Sequence, residues 1–134
     1  MPFILWTKEN EIGIEIIDNQ HKHLFDLLNT LHATFSLGEE KNVLLKALDA
    51  LIEYTIFHFD TEERLFEKYS FPQKIQHQKE HNKLAEEIIG LRMKLEAGSA
   101  ILTIKVLEFI HSWLEQHTMN SDRKFGEYIK NYTL

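Results

Sequence analysis

Apolar positions recur every three to four residues along most of the chain and mark four long amphipathic segments, separated by turn signals at Gly38-Glu39-Glu40, Ser70-Phe71-Pro72 and Ala97-Gly98-Ser99. The first segment, Asp18 to Leu37, takes Asp18 as its N-cap and sets His21, Leu24, Leu28, Leu31 and Phe35 on one stripe. The second, Lys41 to Tyr69, aligns Leu44, Leu51, Tyr54, His58, Glu62 and Leu65. The third, Pro72 to Glu96, opens on a proline whose missing N–H costs nothing in a first turn, and aligns His77, His81, Leu84, Ile88, Leu91 and Leu95. The fourth runs from Ala100 past His117, with Thr103, Val106, Ile110 and Trp113 on the His117 side. Residues 1–17 lack helical period and contain Gly13, so they read as an arm packed by Phe3, Trp6, Ile12 and Ile14. The expected architecture is all-α: one domain over 1–134, an antiparallel up-down-up-down four-helix bundle with an irregular N-terminal arm (1–17; bundle and C-terminal segment 18–134).

Polar groups interrupt each stripe at the same kind of position. Residues four apart stack on one helix face, so His58 with Glu62, and His77 with His81, each aim two metal donors in one direction. His21 and His117 also face inward. Asp122 breaks the pattern: five residues at 100° each set it about 140° from His117, and both reach one centre only if the helix widens or bends. A π-bulge or bend is therefore predicted near Thr118 to Asp122. One His-x-x-x-Glu on a helix is usually a hydrogen-bonded pair. Here all four helices contribute, and each unpaired charge in an apolar interior costs several kcal/mol, which a pair of dications removes.

Composition narrows the chemistry. A chain of 134 residues fits one domain. The formal charge of −6, with Lys and Arg scattered among carboxylates, argues against a nucleic-acid face. The absence of cysteine removes disulfides, thiolate ligands and iron–sulfur clusters, leaving imidazole and carboxylate as the strong donors. The start Met1-Pro2-Phe3-Ile4-Leu5-Trp6 lacks the regions of a signal peptide and no run is long enough to cross a bilayer, so a cytoplasmic protein without membrane contact is expected.

The order of these groups resembles the hemerythrin family, in particular its single-domain bacterial members. The resemblance is carried by Ile17-Asp18-Asn19-Gln20-His21-Lys22-His23-Leu24, by His58-Phe59-Asp60-Thr61-Glu62-Glu63, by Tyr69 and Pro72 leading to His77 and His81, and by Trp113-Leu114-Glu115-Gln116-His117 with Asp122. It implies a cofactor of two Fe ions, cycling between Fe2+ and Fe3+, with an oxo or hydroxo bridge. His77, His81 and His117 then hold one iron and His21 and His58 the other, while Glu62 and Asp122 bridge both. Five nitrogens and four carboxylate oxygens, with the oxo or hydroxo bridge counted once for each iron, fill about eleven of the twelve positions of two octahedra, leaving one open on the two-histidine iron. In the family that position takes dioxygen. Imidazoles outnumber carboxylates, unlike ferritin-like di-iron enzymes, which favours reversible binding over catalysis.

The resemblance also sets Leu24, Phe59, Trp113, Leu114 and Thr118 around the open position, although ordinary core packing explains the same residues. Thr118 departs from the bulky aliphatic usual there, and its hydroxyl is expected to meet bound ligand or to admit water. Of the other histidines, His23 projects about 160° from His21 and is expected at the surface; His32 lies about 16 Å along the axis from His21, near the bundle end; His111 lies about 120° from His117. Glu63 points about 140° from His58 and reads as a solvated carboxylate rather than a ligand. The hydrogen-bond partners of the ligand imidazoles are not legible in the sequence.

The expected function is dioxygen carriage, storage or delivery, without enzymatic activity and with a possible separate redox or oxygen-consuming partner protein. A sensor module, an enzyme reducing peroxide or nitric oxide, and iron handling share the same donor set. The sensor needs an output domain and the enzyme a reductant partner, neither of which is seen in these residues, and iron handling makes metal exchange rather than ligand exchange the function.

Overall fold

The computed structural model describes residues 2–98 and 101–132. Its order is a 3₁₀ turn at Lys8–Asn10, then α1 (Glu15–Ser36), α2 (Lys41–Lys68), α3 (Lys74–Ala97), α4 (Ile104–Gln116), a π-helical segment (His117–Ser121) and α5 (Asp122–Tyr132), which continues α4. Among the described residues there is no strand. Short connections force neighbouring helices to run antiparallel, and α1 packs on α2 and α4 while α2 packs on α3. The all-α four-helix bundle with an arm is the fold observed. Among the described residues no helix is long and apolar enough to cross a membrane.

The apolar stripes meet in two clusters with a polar layer between them. One holds Leu24, Leu28, Leu48, Leu51, Phe59, Leu84, Ile88, Leu107, Ile110 and Leu114; the other holds Ile12, Ile17, Phe66, Phe71 and Phe125. On α1 His21 falls between Ile17 and Leu24, and on α2 Glu62 falls between Phe59 and Phe66. His77 and His81 separate Phe71 from Leu84, and His117 and Asp122 separate Leu114 from Phe125. The bundle thus has a waist of buried histidines and carboxylates, capped on both sides by apolar side chains. Burying each large ring contributes roughly 1.5–3 kcal/mol, which favours the one register that stacks all four sets of donors.

Several helix starts differ from the sequence reading. α1 begins at Glu15, so Asp18 is not its N-cap and the arm ends at Ile14. Asp18 instead turns its carboxylate back onto the arm, accepting from the backbone N–H of Ile12 at 2.8 Å and of Gly13 at 3.2 Å. α3 begins at Lys74, two residues after Pro72, because Ser70 takes a left-handed conformation (φ 50°) and the chain needs one further turn to re-enter a helix. α4 begins at Ile104, with Thr103 as its N-cap, accepting from Val106 N–H, rather than as a member of its stripe. Ala100, the expected start, lies outside the described residues.

The arm is tied down at both ends. Ile4 is buried and its backbone exchanges two hydrogen bonds with the Asn29 side chain, at 2.8 and 3.0 Å. Further on, Arg123 donates to the carbonyl of Glu9 and to that of Met119, joining the arm to the π segment. Phe3 stacks on half-buried His32 and meets His111 edge-on, so these two histidines serve the arm. His23 is exposed and leans on Tyr54.

Candidate metal centre

The five-residue step from His117 to Asp122 is accommodated by a full π turn over His117–Ser121, the distortion the spacing predicts. A widened turn carries i→i+5 hydrogen bonds and resets the helical phase, so α5 leaves with Asp122 and Phe125 both facing inward. His117 Nε2 then stands 3.0 Å from Asp122 Oδ1.

All seven expected donors meet in the waist, and each is at most 6 % exposed. They form two groups, in each of which the donor atoms lie within 4.8 Å of one another: Glu62, His77, His81, His117 and Asp122 in the first, and His21, His58, Glu62 and Asp122 in the second. Glu62 and Asp122 belong to both. Within the first group His117 Nε2 is 3.1 Å from His77 Nε2 and 3.2 Å from His81 Nε2, while His77 Nε2 is 2.6 Å from Asp122 Oδ1 and His81 Nε2 is 3.0 Å from Glu62 Oε1. In the second, His21 Nε2 lies 2.8 Å from Asp122 Oδ2 and His58 Nε2 lies 3.3 Å from Glu62 Oε1.

These spacings suit coordination. With metal–imidazole bonds of ~2.1 Å, ligands at right angles in an octahedron are ~3.0 Å apart. Hydrogen bonding accounts for them poorly. His117 Nε2 has three close neighbours and can carry one proton. Both oxygens of Glu62 and of Asp122, with His21 Nε2 and His58 Nε2, are buried and make no hydrogen bond. Orphaned acceptors at this density are costly unless a cation sits among them.

Proton placement around the cluster points the same way. Glu63 Oε2 is 3.1 Å from His81 Nδ1, and a carboxylate accepts, so the Nδ1 proton is fixed there and the Nε2 lone pair faces the cluster. The Gln20 amide oxygen, 2.7 Å away, does the same for His58 Nδ1, and Gln20 Nε2 is itself anchored on Thr61 Oγ. Burial pushes the His117 pKa down, but the adjacent Asp122 and Glu62 outweigh it and lift it to about 10. Burial also opposes ionisation of Asp122; His117, His21 and His77 overcome it and hold the carboxyl well below its usual range. Without metal, the waist keeps a proton on His117 where a cation would otherwise balance the two carboxylates.

Rings brace the ligands. Phe59 stacks on His81 at 3.7 Å and 7°, and Trp113 stacks on His117 at 4.3 Å and 16°. Leu24, Phe59, Leu114 and Thr118 are buried and Trp113 is partly buried, in the layer next to the donors. The Thr118 hydroxyl donates to the Glu115 carbonyl at 3.1 Å, the usual way a helical threonine satisfies itself. Glu63 differs from expectation. It is half-buried rather than solvated, because pointing away from the His58 face carries it across to His81 on α3.

The chain matches the family model of the hemerythrin HHE cation-binding domain over residues 12–129. The chain belongs to the hemerythrin family. This hemerythrin is 34 % identical over 127 residues to a bacteriohemerythrin of Methylococcus capsulatus, covering 94 % of this chain and 96 % of that one. It is 31 % identical over 120 residues to a hemerythrin-like protein of Naegleria gruberi, covering 90 % and 88 %. A crystal structure of wild-type hemerythrin superposes with a TM-score of 0.89 at 32 % identity, covering 93 % of this hemerythrin and 96 % of that chain.

Proposed function

We propose that this chain is a non-haem di-iron protein that binds dioxygen reversibly, for carriage, storage or delivery, and is not an enzyme. The observation that carries the reading is the sharing of Glu62 and Asp122 between two donor groups, one with three imidazoles and one with two. Such an arrangement suits a pair of like cations joined by carboxylates. Held by these seven side chains, iron would supply the electrons that a neutral diatomic ligand needs in order to bind and leave without a protein acid or base.

The chain's own residues do the rest. His77, His81 and His117 fill three positions on one side and His21 and His58 two on the other, so the second side is the less saturated. Leu24, Phe59, Trp113, Leu114 and Thr118 make the neighbouring space apolar, which holds water away and slows oxidative loss of the reduced state. A cytoplasmic setting and a separate redox or oxygen-consuming partner belong to the same reading.

The test is anaerobic reduction of iron-loaded protein, with iron counted per chain, followed by optical spectra through cycles of oxygen and argon. Two irons and a charge-transfer band that rises with oxygen and falls under argon support the reading. Irreversible oxidation, with ferric absorption that persists under argon, or continued oxygen consumption with a reductant, overturns it in favour of an enzyme or of iron handling.

A sensor role is a second reading. Its support is the Arg123 side chain, which ties the arm at Glu9 to the π segment that carries His117 toward Asp122. A ligand-dependent change in proteolysis of the arm favours it; identical cleavage with and without oxygen removes it.

A further inference from the structure

The two donor groups differ in what stands behind their imidazoles. On the three-histidine side, His81 Nδ1 faces the Glu63 carboxylate at 3.1 Å, and His117 Nδ1 lies 3.9 Å from Glu80, whose other oxygen accepts from Ser121 Oγ at 3.2 Å. On the two-histidine side, His58 Nδ1 faces the neutral amide of Gln20 at 2.7 Å, and His21 Nδ1 is buried with no hydrogen-bond partner among the described residues. A carboxylate accepting from the far N–H of a ligating imidazole draws the proton away and makes the near nitrogen a stronger donor; an amide oxygen does so much less. Stronger donation favours the higher charge on a metal.

Resting on the di-iron reading above, we propose that Glu63 is a positioning residue which, acting through His81, makes the three-histidine metal position the easier one to oxidise, while Gln20 keeps the two-histidine position reduced and receptive. Glu63 belongs to neither donor group. Its reach from α2 to α3 is direct, and its side chain is 31 % exposed, so the carboxylate is hydrated on one side while its Oε2 holds the imidazole on the other. Gln20 is locked from behind by Thr61 Oγ, which fixes the amide oxygen toward His58. The asymmetry therefore comes from two anchored side chains on different helices.

The experiment is a spectroelectrochemical titration of the iron-loaded protein and three variants. Glu63→Gln keeps the size and the acceptor oxygen but removes the charge; its midpoint potential is expected to rise, and its iron to pass to a competing chelator with roughly 10–100-fold weaker retention. Gln20→Glu is expected to lower the potential. Asp60→Asn removes, from the same helix, a carboxylate whose one ion-pair partner among the described residues is exposed Arg64, and is expected to shift nothing. Should Glu63→Gln hold too little iron to titrate, the opposite shift in Gln20→Glu decides. An unmoved potential in both Glu63→Gln and Gln20→Glu, or an equal shift in Asp60→Asn, overturns the proposal while leaving the di-iron reading intact. Failure of the unaltered protein to take up two irons overturns both.

Discussion

His117 and Asp122 are five residues apart yet stand 3.0 Å from each other, because a π turn takes up the residue that a regular helix cannot place. The same turn gives α5 its phase, and with it the inward aim of Phe125 and Gly126. A distortion within one helix thus serves both a shared carboxylate and the packing of the C-terminal helix.

Sharing makes the carboxylates unequal to their neighbours. Glu62→Ala is expected to lose the pair of irons, since its oxygens face both donor groups, whereas Glu63→Ala still takes up two when iron is in excess. Iron per chain, measured after desalting, checks this; equal retention in the two variants removes Glu62 from its bridging role.

Thr118 tests the wall of the site. Its hydroxyl is already engaged with the Glu115 carbonyl, so Thr118→Val is expected to leave the autoxidation rate of the oxygenated protein unchanged and to cost about 1 kcal/mol of stability. Thr118→Ile adds volume where the side chain is fully buried, and a cost of about 1–3 kcal/mol is expected in urea unfolding. A longer-lived oxygenated state in Thr118→Val shows instead that the hydroxyl admits water.

At Gly126 the backbone of α5 lies against Ile12 of the arm. A Cβ there meets the Ile12 carbonyl oxygen at 2.3 Å and Ile12 Cβ at 2.9 Å, so backbone must move. Gly126→Ala is expected to destabilise by about 1–3 kcal/mol and to speed tryptic cleavage at Lys8. Unchanged stability and cleavage show that the arm gives way freely.

Metal-free protein should carry the electrostatics of the waist in its pH profile. His117, raised from 6.5 to about 10, contributes stability that is full below 6.5 and lost as pH climbs toward 10. Asp122, lowered from 3.8, contributes stability present above 3.8 and lost as pH falls through its depressed value. The thermal midpoint is therefore expected to be highest between about 4 and 6.5 and to decline on the alkaline side; His117→Gln should flatten that decline. A midpoint that rises from pH 7 to 9 contradicts this charge assignment.

Much of the site was legible because its information is local. Spacing four apart fixes a shared helix face, so His58 with Glu62 and His77 with His81 could be paired from the chain alone, and the misfit of His117 with Asp122 called for a π turn. What stayed hidden depends on how helices sit against one another. Glu63 reads as solvated when judged only against its own helix, yet it meets His81 across the α2–α3 seam. Asp18 has the chemistry of an N-cap, but the arm folds back over it and presents two N–H groups, so the helix starts a turn earlier. Thr118 could satisfy its hydroxyl locally, because within a helix the carbonyl three residues before lies within its reach.

The aromatic plates on His81 and His117 bear on how the centre is filled. With Phe59 lying flat on one ring and Trp113 on the other, neither imidazole can swing about its χ2 axis without displacing a packed neighbour. Little rotational freedom is left for an arriving ion to remove, so capture resembles the loading of a rigid chelator more than the folding of a finger around its zinc. Such a cage does not discriminate strongly among divalent ions of similar radius, and its occupant follows supply. Purified chain grown without added iron should accordingly emerge carrying whichever transition metal its medium offers.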